Sequence, residues 1–561
     1  MSWYDSAVFY HIYPLGLSGS PKKNDYGEPV HRLNTLLPWI EHIKSLGCSA
    51  LYIGPLFESG SHGYDTTDYR KLDGRLGTNE DLKNFVAECH RQGIRVILDG
   101  VFNHVGRDFF AFQDLKRNRE NSPYREWFCN VDFRGNNEYN DGFSYANWGG
   151  YNLLVKLNQQ NGAVQDYLSD TIRMWVSEFD IDGLRLDAAD VLDFGFMQTL
   201  RRLADEVKPE FWLMGEVIHG DYTRWVNAQT LHSVTDYNLH KALYSGHNDH
   251  NYFEIAHTVK RIYDMGLNHP GGMKLYSFAD NHDVERIYTK LQDKAHFIPV
   301  HILLYTLPGI PSIYYGSEFG IEGRKEQWSD DSLRPALGLE DFQEAMTQNQ
   351  YPRLIATLGR LRQNVPALWD GDYREIQLTN RQFVFARTKG DRSVIVAVNN
   401  DSNPANLCIP IENGKSYTGA LSGQRLNVED HCLACTIPGN SGEIWIPDGM
   451  DNPTAEPVLR EIPKAASPIV TAQPVTSEQA TISTEEEKAE PEETPDSTMK
   501  TMKSVVPAPE YRSYEEMSVE ELQSAILEKM AQNGPVTDRM RQDVTDNIWH
   551  DSLVTWLKSF R

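Results

Sequence analysis

An eight-stranded parallel β/α barrel with an inserted segment and a C-terminal antiparallel β domain is the fold this sequence predicts. Three observations carry it. Short runs rich in Val, Ile, Leu, Tyr and Phe recur at Val8–Tyr13, Ala50–Gly54, Arg95–Val101, Gly183–Asp187, Phe211–Glu216, Ser233–Asp236, Lys274–Phe278 and Gly309–Tyr315. Continuous apolar runs of this length are the mark of strands buried on both faces, as in parallel sheets. Helical patterns such as Asn79–Gln92, Val164–Phe179 and Phe196–Val207 separate them, and such alternation favours a closed barrel over an open sheet. Finally, from about residue 366 the pattern changes to strand-like pairs, Phe383–Arg387 and Val394–Val398, followed by the turn Asn399-Asn400-Asp401.

Taken along the chain, residues 1–365 form the catalytic-type barrel. The gap between its third and fourth strands is too wide for one crossover helix. It holds an inserted domain at about 104–155, rich in Asn, Gly, Tyr and Trp. An insertion at the C-terminal end of a barrel strand lies on the face where such folds carry their sites. Residues 366–448 are expected to be a β-sandwich domain. Residues 449–510 are poor in aromatics, rich in Pro, Thr and Ala, and contain the acidic run Glu485-Glu486-Glu487. That composition reads as a disordered linker. Residues 511–561 regain apolar periodicity and are expected to be a helical interaction module. Ser518 and Glu521 make a capping box for a helix running to about Gln532, and Gly534-Pro535 ends it. A second helix is expected with Met540, Val544, Ile548, Leu553, Trp556, Leu557 and Phe560 along one stripe.

The 561 residues carry a formal charge of −25. An acidic chain without a basic stripe argues against a nucleic-acid partner, while a neutral ligand is not repelled. No apolar run is long enough to span a membrane. The N-terminus lacks the basic and apolar regions of a secretory signal, so a cytoplasmic location is expected. The cysteines are scattered, and Cys432-x-x-Cys435 reads as two plain thiols because no second ligand pair accompanies it.

Ionisable groups gather at the C-terminal ends of the expected strands. Asp99 is followed by Asn103 and His104; Arg185 and Asp187 end the fourth strand; Glu216 ends the fifth; His282 and Asp283 follow the seventh. Carboxylates aimed into one pocket from several strands suit acid/base and nucleophilic work at a sugar, where one acid protonates the leaving oxygen and a carboxylate attacks. Arg185 and Asp187 are two residues apart and face the same side of their strand. The fixed cation is expected to keep Asp187 ionised.

Asp99-Gly-Val-Phe-Asn-His104, Gly183-Leu-Arg-Leu-Asp187, Gly215-Glu216-Val217 and Phe278-Ala-Asp-Asn-His-Asp283 resemble the signature regions of glycoside hydrolase family 13, the α-amylase family. Lys156-Leu-Asn158 resembles the motif near the end of that family's inserted domain, and Gly309–Gly316 its eighth-strand motif. The resemblance implies Asp187 as nucleophile, Glu216 as acid and then base, and Asp283 as the grip on the distorted sugar. It implies that Arg185, His104 and His282 hold the same sugar, that Tyr64 stacks beneath it and that Asp65 shapes that floor. Asp99, Asn103 and Lys156 would support the site. Trp127, Phe128, Tyr145 and Trp148 of the insert are candidate sugar platforms. The resemblance is nearest to the branch of the cyclomaltodextrinases, neopullulanases and maltogenic amylases, although the N-terminal starch-binding domain usual there is not expected, since the first strand begins at Val8.

After the nucleophile, Asp190 and Val191 stand where many secreted members carry Lys and His. That pair belongs to their calcium site, so no cofactor is expected to be required. Asn103 remains the single candidate calcium ligand. The expected activity is hydrolysis of α-1,4-glucosidic bonds, with α-1,6 cleavage also allowed. Substrates would be maltodextrins, cyclodextrins or starch fragments. The alternative is a 4-α-glucanotransferase of the same family, which shares the covalent intermediate and resolves it with a sugar hydroxyl instead of water. A non-catalytic α-glucan-binding protein would have no use for all three carboxylates.

Overall fold

The computed structural model describes residues 2–327, 329–412, 414–450, 518–533 and 544. The eight expected strands all form: β1 Phe9–Ile12, β2 Ala50–Ile53, β3 Arg95–Gly100, β4 Gly183–Leu186, β5 Trp212–Gly215, β6 Ser233–Val234, β7 Tyr276–Phe278 and β8 Ile310–Tyr314. Each pairs in parallel with its sequence neighbour, and β8 returns to β1 through Phe9↔Ser312. Between β6 and β7 the closure is made by a parallel bridge, Thr235↔Tyr276, and by the Asp236 N–H donating to the Tyr276 carbonyl at 2.8 Å.

The barrel interior is filled from alternate residues of its strands. Phe9, Ala50, Tyr52, Ile97, Trp212, Met214, Tyr276, Phe278 and Ile310 form one buried cluster. Trp212 stacks on Phe9 with ring centroids 5.0 Å apart. The interior is therefore solid below the mouth, which leaves the C-terminal strand ends as the place for a site.

The crossover helices begin where local chemistry starts them. Helix α1, Asn79–Arg91, is preceded by Thr78, whose backbone N–H donates to Asp81 at 2.7 Å in a capping box. Asn161 caps α2, Gly162–Phe179, and Asp193 caps α3, Phe194–Val207, each accepting a free N–H of the first turn at 2.9 Å. Each such cap stabilises its helix by about 1 kcal/mol.

The insert returns to the barrel as a small sheet. Residues Tyr151–Lys156 pair with His104–Val105 on one side and with Asn147–Trp148 on the other. This ladder ties the end of the insert to the residue just beyond β3.

The β domain comprises β9 Asp372–Leu378, β10 Gln382–Lys389, β11 Arg392–Asn399, β12 Ala405–Pro410, β13 Ser416–Gly419, β14 Arg425–Asn427, β15 Cys432–Ile437 and β16 Ser441–Pro447. One sheet has the order β9-β10-β11-β16-β13-β14, and β12 pairs with β15 in a second. Val384, Ile395, Ile409, Leu433 and Trp445 are buried between them. Buried Arg387, donating to the carbonyls of Thr306 (2.6 Å) and Gly371 (3.0 Å), fastens this domain to the barrel. The expectation of unpaired thiols needs correction. Cys408 and Cys432, adjacent across β12 and β15, are bonded with Cα atoms 5.5 Å apart, while Cys435 stays a free buried thiol.

Helix α4, Val519–Asn533, starts at the capping box read from the sequence. The Ser518 N–H donates to Glu521 at 2.7 Å and the Glu521 N–H to Ser518 Oγ at 3.2 Å. Leu522 and Ile526, one turn apart, are buried, as is Val544. The expected linker, apart from its first two residues, and the remainder of the expected second helix lie outside the described residues. Among the described residues no helix is long and apolar enough to cross a membrane.

Candidate active site

Strand register builds the site. Asp99 on β3 lies directly opposite Arg185 on β4, and both point into the barrel mouth. The Arg185 guanidinium, 3% exposed, is shared by three carboxylates. Its Nη1 donates to Asp99 Oδ1 (2.9 Å) and to Asp187 Oδ1 (2.8 Å), and its Nη2 lies 2.8 Å from Glu216 Oε2. Asp187 and Glu216 are thus held on neighbouring nitrogens of one planar cation.

Backbone groups complete the hold. The Asp187 N–H donates to Gly100 O at 3.1 Å and the Glu216 N–H to Leu186 O at 2.9 Å, extending the ladder past the strand ends. Ala188 sits in the left-handed region with φ +45° and ψ +46°. That conformation costs a residue with a side chain roughly 1–2 kcal/mol. It aims the Ala188 N–H at Glu216 Oε2, 3.0 Å away. With Oε2 taken twice and Asp187 Oδ1 by Arg185, Glu216 Oε1 and Asp187 Oδ2 have no protein hydrogen bond among the described residues. Those are the atoms left for a ligand.

The electrostatics depart from the expectation for Asp187. Burial, joined by Glu216 and Asp99, pushes its carboxyl well above the usual carboxylate range, against the pull of Arg185. One cation does not neutralise three buried carboxylates, and adjacent carboxylates titrate as a unit.

Asp283 is governed differently. Burial works to raise its carboxyl, but His282, Arg334 and Arg185 outweigh it and hold it well below the ordinary value. Its Oδ2 lies 2.9 Å from His282 Nε2, and its Oδ1 accepts from Arg334 Nη2 at 2.8 Å. Arg334 also donates to the His282 carbonyl (3.0 Å) and to Asp330 (3.0 Å).

Tyr64 joins the two halves. Its hydroxyl donates to Asp99 Oδ2 at 3.2 Å and lies 2.5 Å from His282 Nε2, and its ring stacks on His282 at 5.7 Å. His104 is buried, with Nε2 4.0 Å from Asp187 Oδ2. That Nε2 has no hydrogen-bond partner among the described residues. Burial lowers the imidazole to about 3, so it is neutral at working pH and offers a ligand a hydrogen bond without a charge.

The remaining expected residues lie around this centre. Asp65 is buried in the 61–65 loop, where it accepts from the Ser61 N–H (3.1 Å) and hydroxyl (2.8 Å); it shapes the loop that carries Tyr64. Lys156 faces His104 across the insert's ladder. Asn103 is fully buried, its Oδ1 without a partner among the described residues and its amide 3.2 Å from His104 Nδ1. Among the described residues no group of three or more His, Cys, Asp or Glu side chains is arranged to hold a metal ion. The donor set around Asn103 does not fit calcium, which takes six to eight oxygens.

Several pocket residues lie outside the motifs. Tyr52 donates to Asp99 Oδ2 at 2.8 Å, and His11 on β1 stacks on Tyr52 at 4.2 Å. Tyr13 lies under the Arg334 guanidinium, 4.7 Å from it. Alternation along β1 and β2 puts His11 and Tyr52 inside the barrel, a pattern that would have found them. Arg334 sits in a loop with nothing local to mark it.

Residues 32–374 match the family described as alpha amylase, catalytic domain, and residues 371–445 match the alpha-amylase C-terminal domain. The chain belongs to the α-amylase family of glycosidases. It is 31% identical over 477 residues to neopullulanase 2 of Thermoactinomyces vulgaris, covering 79% of this chain and 78% of that protein. It is 31% identical over 421 residues to a cyclomaltodextrinase of Thermoanaerobacter pseudethanolicus, covering 71% of each. Among solved structures it resembles a debranching enzyme from Nostoc punctiforme, with a TM-score of 0.67 and 28% identity over 79% of this chain and 98% of that one.

Proposed function

We propose that this glycosidase hydrolyses α-1,4-glucosidic bonds in maltodextrins, cyclodextrins or starch fragments, and α-1,6 bonds as well, with retention of configuration. The observation that carries the reading is the shared guanidinium of Arg185, which sets Asp187 and Glu216 side by side with Oδ2 and Oε1 free. A retaining pair must be close enough for direct attack, whereas an inverting pair leaves room for a water between. The names of the relatives, neopullulanase and cyclomaltodextrinase, support the substrate class.

In this mechanism Glu216 gives its proton to the glycosidic oxygen as the C1–O bond breaks. Asp187 Oδ2 forms a bond to C1, giving a β-glucosyl ester. Water then enters; Glu216 takes its proton, the hydroxyl attacks C1, and the ester bond breaks to return Asp187. Asp283 and His282, with the spare Nε2 of His104, grip the hydroxyls of the flattened ring, and Tyr64 lies beneath it. The test is a product profile on maltoheptaose, β-cyclodextrin and pullulan, with the anomer of the first product read by NMR. An initial β-anomer would sink the retaining mechanism. Longer oligosaccharides instead of hydrolysis products would indicate the 4-α-glucanotransferase.

The reading includes independence from metal. Activity and Tm should be unchanged after EDTA treatment and desalting, because Asn103 has no companion ligands among the described residues. A loss of both restored by calcium would show ligands elsewhere.

The same reading places 511–561 outside the catalytic unit, as a module for self-association or a protein partner. Support comes from α4, which has its own capping box and buries Leu522 and Ile526 one turn apart. Two short helices bury little surface alone. Truncation after Gly449 should leave kcat on soluble maltodextrin within about twofold and change only the oligomeric state seen by light scattering. An unstable or inactive truncated enzyme would make the tail part of the catalytic unit. Cytoplasmic action belongs to the same reading, supported by the free thiols Cys48, Cys89, Cys129 and Cys435.

A further inference from the structure

A cleft of about 310 Å³ is lined by Tyr244, Asn248, Glu285, Thr289, Lys290 and Arg324. None of the six belongs to the catalytic pocket. The volume is at the small end of the range of small-molecule sites and about ten times the share of one water.

Three successive β/α units build it. Tyr244 and Asn248 lie on the helix Tyr237–Asn248 that follows β6; Glu285, Thr289 and Lys290 follow β7; Arg324 follows β8. Hydrogen bonds stitch these walls together. The Asn248 amide donates to the Lys290 carbonyl at 2.9 Å and its Oδ1 accepts the Gln292 N–H at 2.9 Å. The Gly323 N–H donates to Thr289 Oγ1 at 2.8 Å, and the Arg286 N–H donates to the Gly323 carbonyl at 3.0 Å. A site whose walls are already fixed loses little freedom on binding.

The polar groups facing the cleft are mostly donors without acceptors. Lys290 Nζ lies over the Tyr244 ring, 4.1 Å from its centroid. Glu285 Oε2 is 3.9 Å from it, beyond hydrogen-bond reach, and no other partner is present among the described residues. Burial lowers the Lys290 amine below its ordinary value, more than Glu285 raises it; an anion arriving there would favour the charged form. Acidic side chains outnumber basic ones in this chain, 79 to 54, yet the exposed Arg324 guanidinium forms no ion pair and no hydrogen bond among the described residues. Thr289 Oγ1, having accepted the Gly323 N–H, keeps its own hydrogen to donate. The Tyr244 hydroxyl likewise has no acceptor among the described residues. Against these four donors stands one acceptor, the Glu285 carboxylate.

We propose that this cleft binds a phosphorylated monosaccharide. Phosphate oxygens are charged acceptors, and they match the Lys290 ammonium, the Arg324 guanidinium and the two hydroxyls. Glu285 accepts from a hydroxyl of the sugar. A bare phosphate would set Glu285 beside an anion with nothing to accept, and would leave most of the cleft to water. The ester accounts for both the excess of donors and the single acid among them.

The experiment is calorimetry on the full-length wild-type chain at about 0.15 M salt, where long-range charge effects are screened. The probes are glucose 1-phosphate, glucose 6-phosphate, inorganic phosphate and glucose. At least one ester should bind saturably. Inorganic phosphate should compete with it about tenfold more weakly, and glucose should not compete. Arg324→Gln and Lys290→Gln should each weaken the Kd of the ester about tenfold or more, while Lys290→Arg keeps most of the affinity. Lys325→Gln removes the next cation along the chain, which does not line the cleft, and should leave Kd within about twofold. Arg324 is exposed, so its variant keeps the fold even if that of Lys290 does not. The proposal is overturned if neither ester gives saturable heat, or if Arg324→Gln binds as tightly as wild type. Inorganic phosphate binding as tightly as the esters, or glucose displacing them, would overturn the phosphorylated sugar as the ligand.

Discussion

Asp187→Asn is expected to lower kcat/KM on maltoheptaose by about 10⁴-fold or more, with the Tm within a few degrees of wild type. A 10⁴-fold loss is about 5.5 kcal/mol of transition-state stabilisation. The amide keeps the shape of the carboxylate and its Oδ1 contact with Arg185 Nη1 (2.8 Å). What it removes is the anionic Oδ2 that attacks C1, so the covalent route closes. Glu216→Gln should cost less, roughly 10²–10⁴-fold. It should recover on a substrate with an activated leaving group, such as a fluoride, because protonation of the leaving oxygen then matters little. Asp187→Asn should not recover on that substrate. The contrast separates the two roles. Near-normal turnover by a contaminant-free Asp187→Asn enzyme would end the assignment.

The barrel was legible because its signals are local. Each strand is a short apolar run between turn residues, and the run is visible in one stretch of chain. The same holds for Ser518 and Glu521, whose capping box needs only four consecutive residues and forms as read. The cluster of Asp99, Arg185, Asp187 and Glu216 was legible for a further reason. These residues lie at the ends of adjacent strands, so parallel register alone brings them together.

Other features depend on contacts that no local pattern encodes. Trp127, Phe128, Tyr145 and Trp148 look alike as candidate platforms in sequence. Packing divides them: Phe128 and Tyr145 are buried, Trp127 packs half-buried against the core and Trp148 faces outward. Cys408 and Cys432 are 24 residues apart, and only the pairing of β12 with β15 makes them neighbours. The upward push on the Asp187 carboxyl escaped the sequence for the same reason. A single cation two residues away was visible, but the depth of burial and the carboxylates competing for that cation were not.

Arg334 was the least legible of the pocket residues, and its removal should be among the most damaging changes after those to the carboxylates. It lies 51 residues beyond Asp283 yet donates to Asp283 Oδ1 at 2.8 Å, and only 13% of its side chain is exposed. Removing Arg334 takes a charge-assisted hydrogen bond from Asp283, and such bonds are worth about 1.5–3 kcal/mol. Arg334→Ala is therefore expected to lower kcat/KM by about 10- to 10²-fold, with Arg334→Lys intermediate because a point charge replaces the fork that reaches Asp283, Asp330 and the His282 carbonyl. The pH profile gives the sharper test. Arg334 helps hold the Asp283 carboxyl well below its ordinary value. Loss of that cation lets the carboxyl rise, so Asp283 takes up its proton at a higher pH. In this mechanism activity needs the Asp283 carboxylate, hence the acid limb of kcat/KM should move toward neutrality in Arg334→Ala and less so in Arg334→Lys. A purely structural role for Arg334 would lower Tm and activity together and leave the limb where it is. An unshifted limb in a folded Arg334→Ala enzyme would rule out the electrostatic link.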